Sequence, residues 1–164
     1  MIRVQREDFD VGRELAELTA GDRSIGGVAL FVGLVREMVR GPAGEEPIAA
    51  MTLEHYPGMT EKRLAAIEAE AQQRWPLARS LIVHRYGRLE PGEQIVLVAC
   101  ASAHREAALA ACHFLIDWLK TQAPFWKLEE GEAEARWVEA EAADDAAAAR
   151  WSDRRPPPKR SERL

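Results

Sequence analysis

Four of the 22 basic residues are lysines, and two of those four, Lys120 and Lys127, fall within the single stretch DWLKTQAPFWK. Lysine and arginine are chemically distinct, because only the lysine amine readily shifts its pKa or acts as a nucleophile. Lys120 falls in the last turn of an expected helix, where a cation is favoured in any case. Lys127 is the less natural placement, in an expected strand between Trp126 and Leu128. Alternation sets Phe125, Lys127 and Glu129 on one face and Trp126 and Leu128 on the other. A Lys and a Glu beside an aromatic ring read either as a surface pair or as a site. A second segment, SAHRE, places His104 and Arg105 in the first turn of the same helix. Cations there oppose the helix dipole yet suit an anion such as a phosphate, the alternative being a solvated turn. A third, FVGLVRE, closes an apolar strand with Gly33 and Arg36.

The other chemistry-bearing residues read as structural. His55 and His84 lie in expected strands and His113 lies mid-helix, all three with partly buried, hydrogen-bonded roles. Cys100, in an expected strand, and Cys112, on a helix face, read most simply as small core residues. With no CxxC pair and no Cys/His zinc spacing, neither a metal nor a resident cofactor is expected.

The elements that must position these residues follow from pattern. Ile2–Gln5 is a strand, and Asp10 caps a helix running to about Ala20 with Gly21 ending it. GGVALFVGLVR (26–36) is a buried strand, and 37–47, rich in Gly, Pro and charge, is a mobile loop. AAMTLEHY is a strand, broken by Pro57 and Gly58. A helix over about 60–74 follows, with Leu64, Ile67, Ala71 and Trp75 on one face. RSLIVHRYG and QIVLVACAS form a hairpin around Glu90-Pro91-Gly92-Glu93. Ser102 opens a helix to about Thr121, ended before Pro124, and PFWKLEE and ARWVEAE are strands around Gly131. The Ala-rich 142–151 reads as a short helix. The order predicts an α+β domain over 1–151 with a mainly antiparallel sheet, followed by a disordered basic, Pro-rich tail over 152–164.

Composition bounds the function. The chain has 164 residues and a net charge of -5, which argues against a general nucleic-acid binder. No stretch approaches the ~20 apolar residues of a membrane span, and MIRVQREDFD has no apolar signal region. A reduced, cytoplasmic protein is expected. Geometry adds an inference. His104 and Lys120 are 16 residues apart, roughly 24 Å on one helix. One small ligand cannot meet both ends, which predicts a homodimer with a site shared across its interface.

The segments FVGLVRE, TLEHYPGMTEKRL, RWPLARSLIVHRYGRLEPGEQIVLV, SAHREAAL and FLIDWLKTQAPFWKLE resemble, in collinear order from about Ile25 to Val138, the large catalytic subunit of molybdopterin synthase, the MoaE family. The resemblance implies an α/β hammerhead fold with an additional antiparallel β subdomain. It also implies a sulfurtransferase of molybdenum-cofactor biosynthesis that converts cyclic pyranopterin monophosphate (precursor Z) into molybdopterin. The sulfur would come from the C-terminal Gly-Gly thiocarboxylate of a small ubiquitin-like subunit, in a heterotetramer around a homodimer of large subunits. A donor on the partner accounts for unreactive cysteines, and a phosphorylated pterin for the anion-ready helix start.

By motif, Lys120 matches the family's essential lysine. Arg36, His104, Arg105, Lys127 and Glu129 match substrate-binding positions, with Phe31 lining the same pocket. Leu34, Val35 and Leu128 stand within the same motifs. The family often carries Lys where Leu34 stands, so only the backbone of Leu34 is expected to contact substrate. The alternatives are a Schiff-base lysine enzyme and a non-catalytic binder of a ubiquitin-like tail.

Overall fold

Asp10 accepts a hydrogen bond from the Arg13 amide at 2.9 Å, so the capping signal read from the sequence starts α1 (Val11–Thr19) where it should. Gly21, at φ +73°, ends the turn that follows. The computed structural model describes residues 1–41, 44–131, 135–138, 146 and 149–152. In chain order it contains β1 (Ile2–Gln5), α1, β2 (Gly27–Leu34), β3 (Met38–Gly41) and β4 (Gly44–His55). Then come α2 (Met59–Arg74), β5 (Leu77–Arg85), β6 (Gly87–Leu89), β7 (Gln94–Ser102), α3 (Arg105–Gln122), β8 (Phe125–Gly131) and β9 (Ala135–Val138).

The first sheet has the order β1-β5-β7-β2, with β1 parallel to β5 and the other pairs antiparallel. Both its faces are covered, which is why β5 and β7 read as nearly unbroken apolar runs. On one face Ile82, Val98 and Cys100 pack under α2 and α3 through Ile67, Ala71, Ala111, Phe114 and Leu115. On the other, Leu81, Val83, Leu97 and Ala99 pack against Phe9 and Leu18 at α1. The second sheet is antiparallel, with order β3-β4-β8-β9 and β6 on the edge of β4. Its inner face has its own core of Val35, Val39, Ile48, Met51, Leu53 and Leu89. The class is α+β, with the second sheet as the added antiparallel unit. No helix among the described residues is long and apolar enough to cross a membrane.

Four expectations need correction. Segment 37–47 is not a loop throughout: β3 pairs with the start of β4 from Met38↔Pro47 to Gly41↔Gly44. Val39 and Ile48 insert into the second core, and Gly41 and Gly44 form the last described pair of the ladder. The β5–β7 hairpin forms in the expected register, Ile82↔Val98. Its connection, however, leaves the sheet and lends β6 to β4. Gly87 at φ +95° makes that change of sheet possible, in a conformation that suits glycine. Ser102 does not open α3. It is the buried end of β7, paired with Gly27, and its hydroxyl donates to the Pro76 carbonyl at 2.8 Å. The N-cap is His104. His113 is exposed rather than partly buried, with 54% of its side-chain surface accessible. The expected helix over 142–151 falls mostly outside the described residues, as does the tail from 153 onward.

Candidate active site where the two sheets meet

The face of β8 predicted by alternation carries a charged cluster. Lys127 Nζ lies 3.2 Å from Glu129 Oε1, and Arg136 on β9 donates to Glu129 Oε2 at 2.9 Å. Glu129 is only 4% exposed. A carboxylate that deep requires compensating charge, which Lys127 and Arg136 supply. The Lys127 side chain keeps about a third of its surface open, 34%, so its ammonium is oriented from below and reachable from outside. An amine with three donors, one of them held, is suited to receive an anion. Leu128 faces the other way, opposite Thr52 and Trp137.

At the root of β8, Phe125 stacks on His84 of β5, with ring centroids 3.7 Å apart and planes at 14°. His55, its neighbour across the β4–β8 ladder, packs 4.5 Å from Tyr86. Burial pushes the His84 imidazole down to about 4, so the ring is neutral at pH 7. Its Nδ1 lies 2.8 Å from the Arg85 carbonyl and donates to it. This stack ties the second sheet to the first and sets the height at which Lys127 emerges. The structural role expected of His84 holds. His55 Nδ1 is buried without a hydrogen-bond partner.

The end of β2 approaches the same region. A Cβ on Gly33 would sit 2.8 Å from Val96 Cγ1 and 3.4 Å from the Phe31 ring, so glycine leaves room for Phe31, which is 36% exposed. Leu34 is half exposed, at a register shift opposite Gln94. Val35 points into the second core with Met51 and Leu53, the β4 residues that pair with Glu129 and Lys127. Its N–H donates to Glu93 O and its carbonyl accepts from Gly92 N, at 2.9 and 2.8 Å. Val35 therefore anchors the strand end on the 90–93 turn, and Arg36 beside it is exposed.

Helix α3 separates the remaining candidates. His104 and Arg105 are exposed at its N-terminus, beside the start of β2, where a Cβ on Gly27 would lie 4.0 Å from the Arg105 Cα. His104 as N-cap makes no side-chain capping bond. Lys120 is exposed in the last turn, at the end from which the chain passes into β8. One chain thus brings Phe31, Leu34, Arg36, Lys120, Lys127 and Glu129 toward one end of the first sheet, and His104 and Arg105 toward the other.

Both thiols are unsuited to attack at neutral pH. Cys100 is fully buried and Cys112 nearly so. Burial pushes both up, Cys112 to about 11, whereas a reactive cysteine needs a lowered pKa. Arg136 was not among the residues singled out by sequence. Its signal is the ARWV strand pattern, but only the β8–β9 register places it opposite Glu129.

Two sheets braced by helices, with a part-open lysine amine held by a buried carboxylate and both thiols buried, define an α+β protein whose candidate site centres on a lysine. The family profile of MoaE protein matches residues 4–122. The molybdopterin synthase catalytic subunit of Pseudomonas aeruginosa is 57% identical over 152 residues, covering 93% of this chain and 99% of that protein. Among solved structures, the molybdopterin biosynthesis MoaE protein of Burkholderia ambifaria MC40-6 is 52% identical with a TM-score of 0.78, covering 92% of this chain and 97% of that one. Molybdopterin synthase from Staphylococcus aureus is 31% identical with a TM-score of 0.75, covering 84% and 96%. The chain belongs to the MoaE family, the catalytic subunits of molybdopterin synthase, and is an enzyme of molybdenum-cofactor biosynthesis.

Proposed function

We propose that this chain transfers sulfur from the thiocarboxylated Gly-Gly C-terminus of a small ubiquitin-like subunit to precursor Z, building the dithiolene of molybdopterin. The observation that carries the reading is the Lys127 ammonium, held at 3.2 Å by a buried Glu129 and left partly open, in a chain whose two thiols are buried and unreactive. Sulfur must then arrive on another molecule, and relatives that are catalytic subunits imply such a partner. Lys120 activates the thiocarboxylate or accepts a proton, and Lys127 stabilises the negative charge that develops on transfer. Arg36, His104 and Arg105 hold the phosphate and pterin, Phe31 lines the pocket, and Glu129 orients Lys127. Leu34 contributes its backbone, while Val35 and Leu128 support the strands that carry their neighbours. The helix separates His104 from Lys120, so the working unit is a homodimer that completes each site across its interface, within a cytoplasmic heterotetramer.

The test mixes the protein with thiocarboxylated small subunit and precursor Z and assays molybdopterin for wild type and Lys120→Ala. The variant is expected to form the complex but to lose product by about 100-fold or more, the scale of a positioned proton-transfer group. Full product from the variant would overturn the role of Lys120. Loss of the complex itself would favour the tail-binding alternative.

A further inference from the structure

Asp117 is an unexpected residue where it stands. It is 7% exposed and lies in the last two turns of α3, where a negative charge opposes the helix dipole. Its Oδ2 accepts the indole N–H of Trp151 at 2.7 Å, and Arg150 Nε and His113 Nε2 each lie 3.5 Å away. Trp151 is itself 4% exposed and closes the first core with a set of edge-on ring contacts. Its ring centroid is 5.6 Å from Phe114, 5.7 Å from Trp75 and 5.6 Å from His113. Its carbonyl accepts from Arg74 Nη1 at 3.0 Å, and that guanidinium lies 4.9 Å over the Phe114 ring. The turn at 149–152 is therefore pinned to both α2 and α3.

The pinning point is three residues, less than one helical turn, before Lys120. Below it, the Asp117 carbonyl accepts from Thr121 Oγ1 at 3.0 Å. Between this helix end and the Trp151 turn lies a cavity of about 430 Å³, lined by Trp118, Thr121, Gln122, Trp151 and Ser152 among others. Terminal turns are the least protected parts of a helix and fray unless something holds them. A buried N–H to carboxylate bond of this length is among the stronger ones available to a protein.

We propose that Trp151 and Asp117 form a latch that acts as a positioning pair for Lys120. The hydrogen bond between them holds the last turn of α3 in the one arrangement that presents the Lys120 amine to its reaction partner. The pair touches no reacting atom. The consequence for turnover rests on the reading of Lys120 given above, but the effect on the placement of Lys120 does not.

The experiment uses the full chain and two readouts. The first is the rate at which an N-hydroxysuccinimide acetate acylates Lys120, followed by mass spectrometry relative to exposed Lys62 in the same molecule. The second is molybdopterin formation with the thiocarboxylated partner, resolved into kcat and KM for precursor Z. Trp151→Phe keeps an aromatic ring in the cage but deletes the N–H. It is expected to change the Lys120 to Lys62 labelling ratio at least threefold and to lower kcat about tenfold with KM unchanged, because small misplacements of a reacting group cost rate steeply. Asp117→Asn still accepts the indole N–H and is expected to stay within about twofold of wild type on both readouts, as a preserved hydrogen bond requires. If Trp151→Phe does not fold, Asp117→Ala gives the same comparison by removing the acceptor instead. An unchanged labelling ratio in the variant lacking the bond would overturn the latch, and so would an Asp117→Asn defect as large as that of Trp151→Phe. A shifted ratio in a protein whose wild type makes no molybdopterin would uphold the latch and refute the sulfur-transfer reading.

Discussion

His84 shows how one residue can carry both architecture and a pH dependence. Its ring is buried between the sheets and stacked on Phe125, and burial lowers its pKa from 6.5 to about 4. The unfolded chain therefore binds a proton that the folded chain refuses between those two values. Stability from this group is fully present above about pH 6.5 and declines as pH falls toward 4, by roughly 3 kcal/mol at most. His84→Phe keeps a ring against Phe125 and removes the titration. Urea unfolding at pH 7.5 and pH 5 should show a smaller loss of stability on acidification in the variant than in wild type. Equal losses would mean that the acid sensitivity lies elsewhere. At the same scale, the Lys127–Glu129 pair was legible as two residues sharing a face. Arg136, the second cation on Glu129, was not, because a neighbour across a ladder depends on register.

Among the elements, β2 contains a position where the surroundings dictate the residue. Gly33 looks like punctuation in an apolar run, yet its hydrogen takes the place of a Cβ that would meet Val96 Cγ1 at 2.8 Å. Val96 is β-branched and has little rotamer freedom to retreat. Gly33→Ala should therefore cost about 1–3 kcal/mol, the usual penalty of overpacking, and should displace the Phe31 ring. Adding Val96→Ala should recover part of that loss in thermal unfolding. A single variant as stable as wild type would show that the strand yields without strain. The element most misread from sequence is the β3–β4 hairpin. Its Gly and Pro residues outweighed two apolar positions, Val39 and Ile48, whose burial depends on a second core that no local pattern reveals.

At the scale of the whole molecule, α3 sets the problem that the proposed homodimer would solve. The helix spans Arg105–Gln122, so His104 and Lys120 stay roughly 24 Å apart within a chain. If each site draws on two copies, a chain lacking Lys120 and a chain lacking His104 can complement one another. Co-expression of Lys120→Ala with His104→Ala should restore up to about a quarter of wild-type molybdopterin synthesis, since about half of the dimers are mixed and each holds one intact site. Each variant alone should be inactive. No recovery in verified mixed dimers would mean that each site is built within one copy.

What the sequence determined by itself is the set of elements and their periodicity. Asp10 starts α1, Gly21 ends its turn, α2 and α3 fall where their apolar stripes and breakers put them, and β8 alternates as written. These are local properties, decided by hydrogen bonds and side-chain directions within a few residues. The tertiary structure decided everything that needs two distant segments to meet. It brings Arg136 onto Glu129, His84 under Phe125, Ser102 into the end of β7 instead of the cap of α3, and Trp151 onto Asp117. Each of those contacts depends on how strands register and on which face of a helix finds a partner, and neither is encoded in the spacing of residues along one segment.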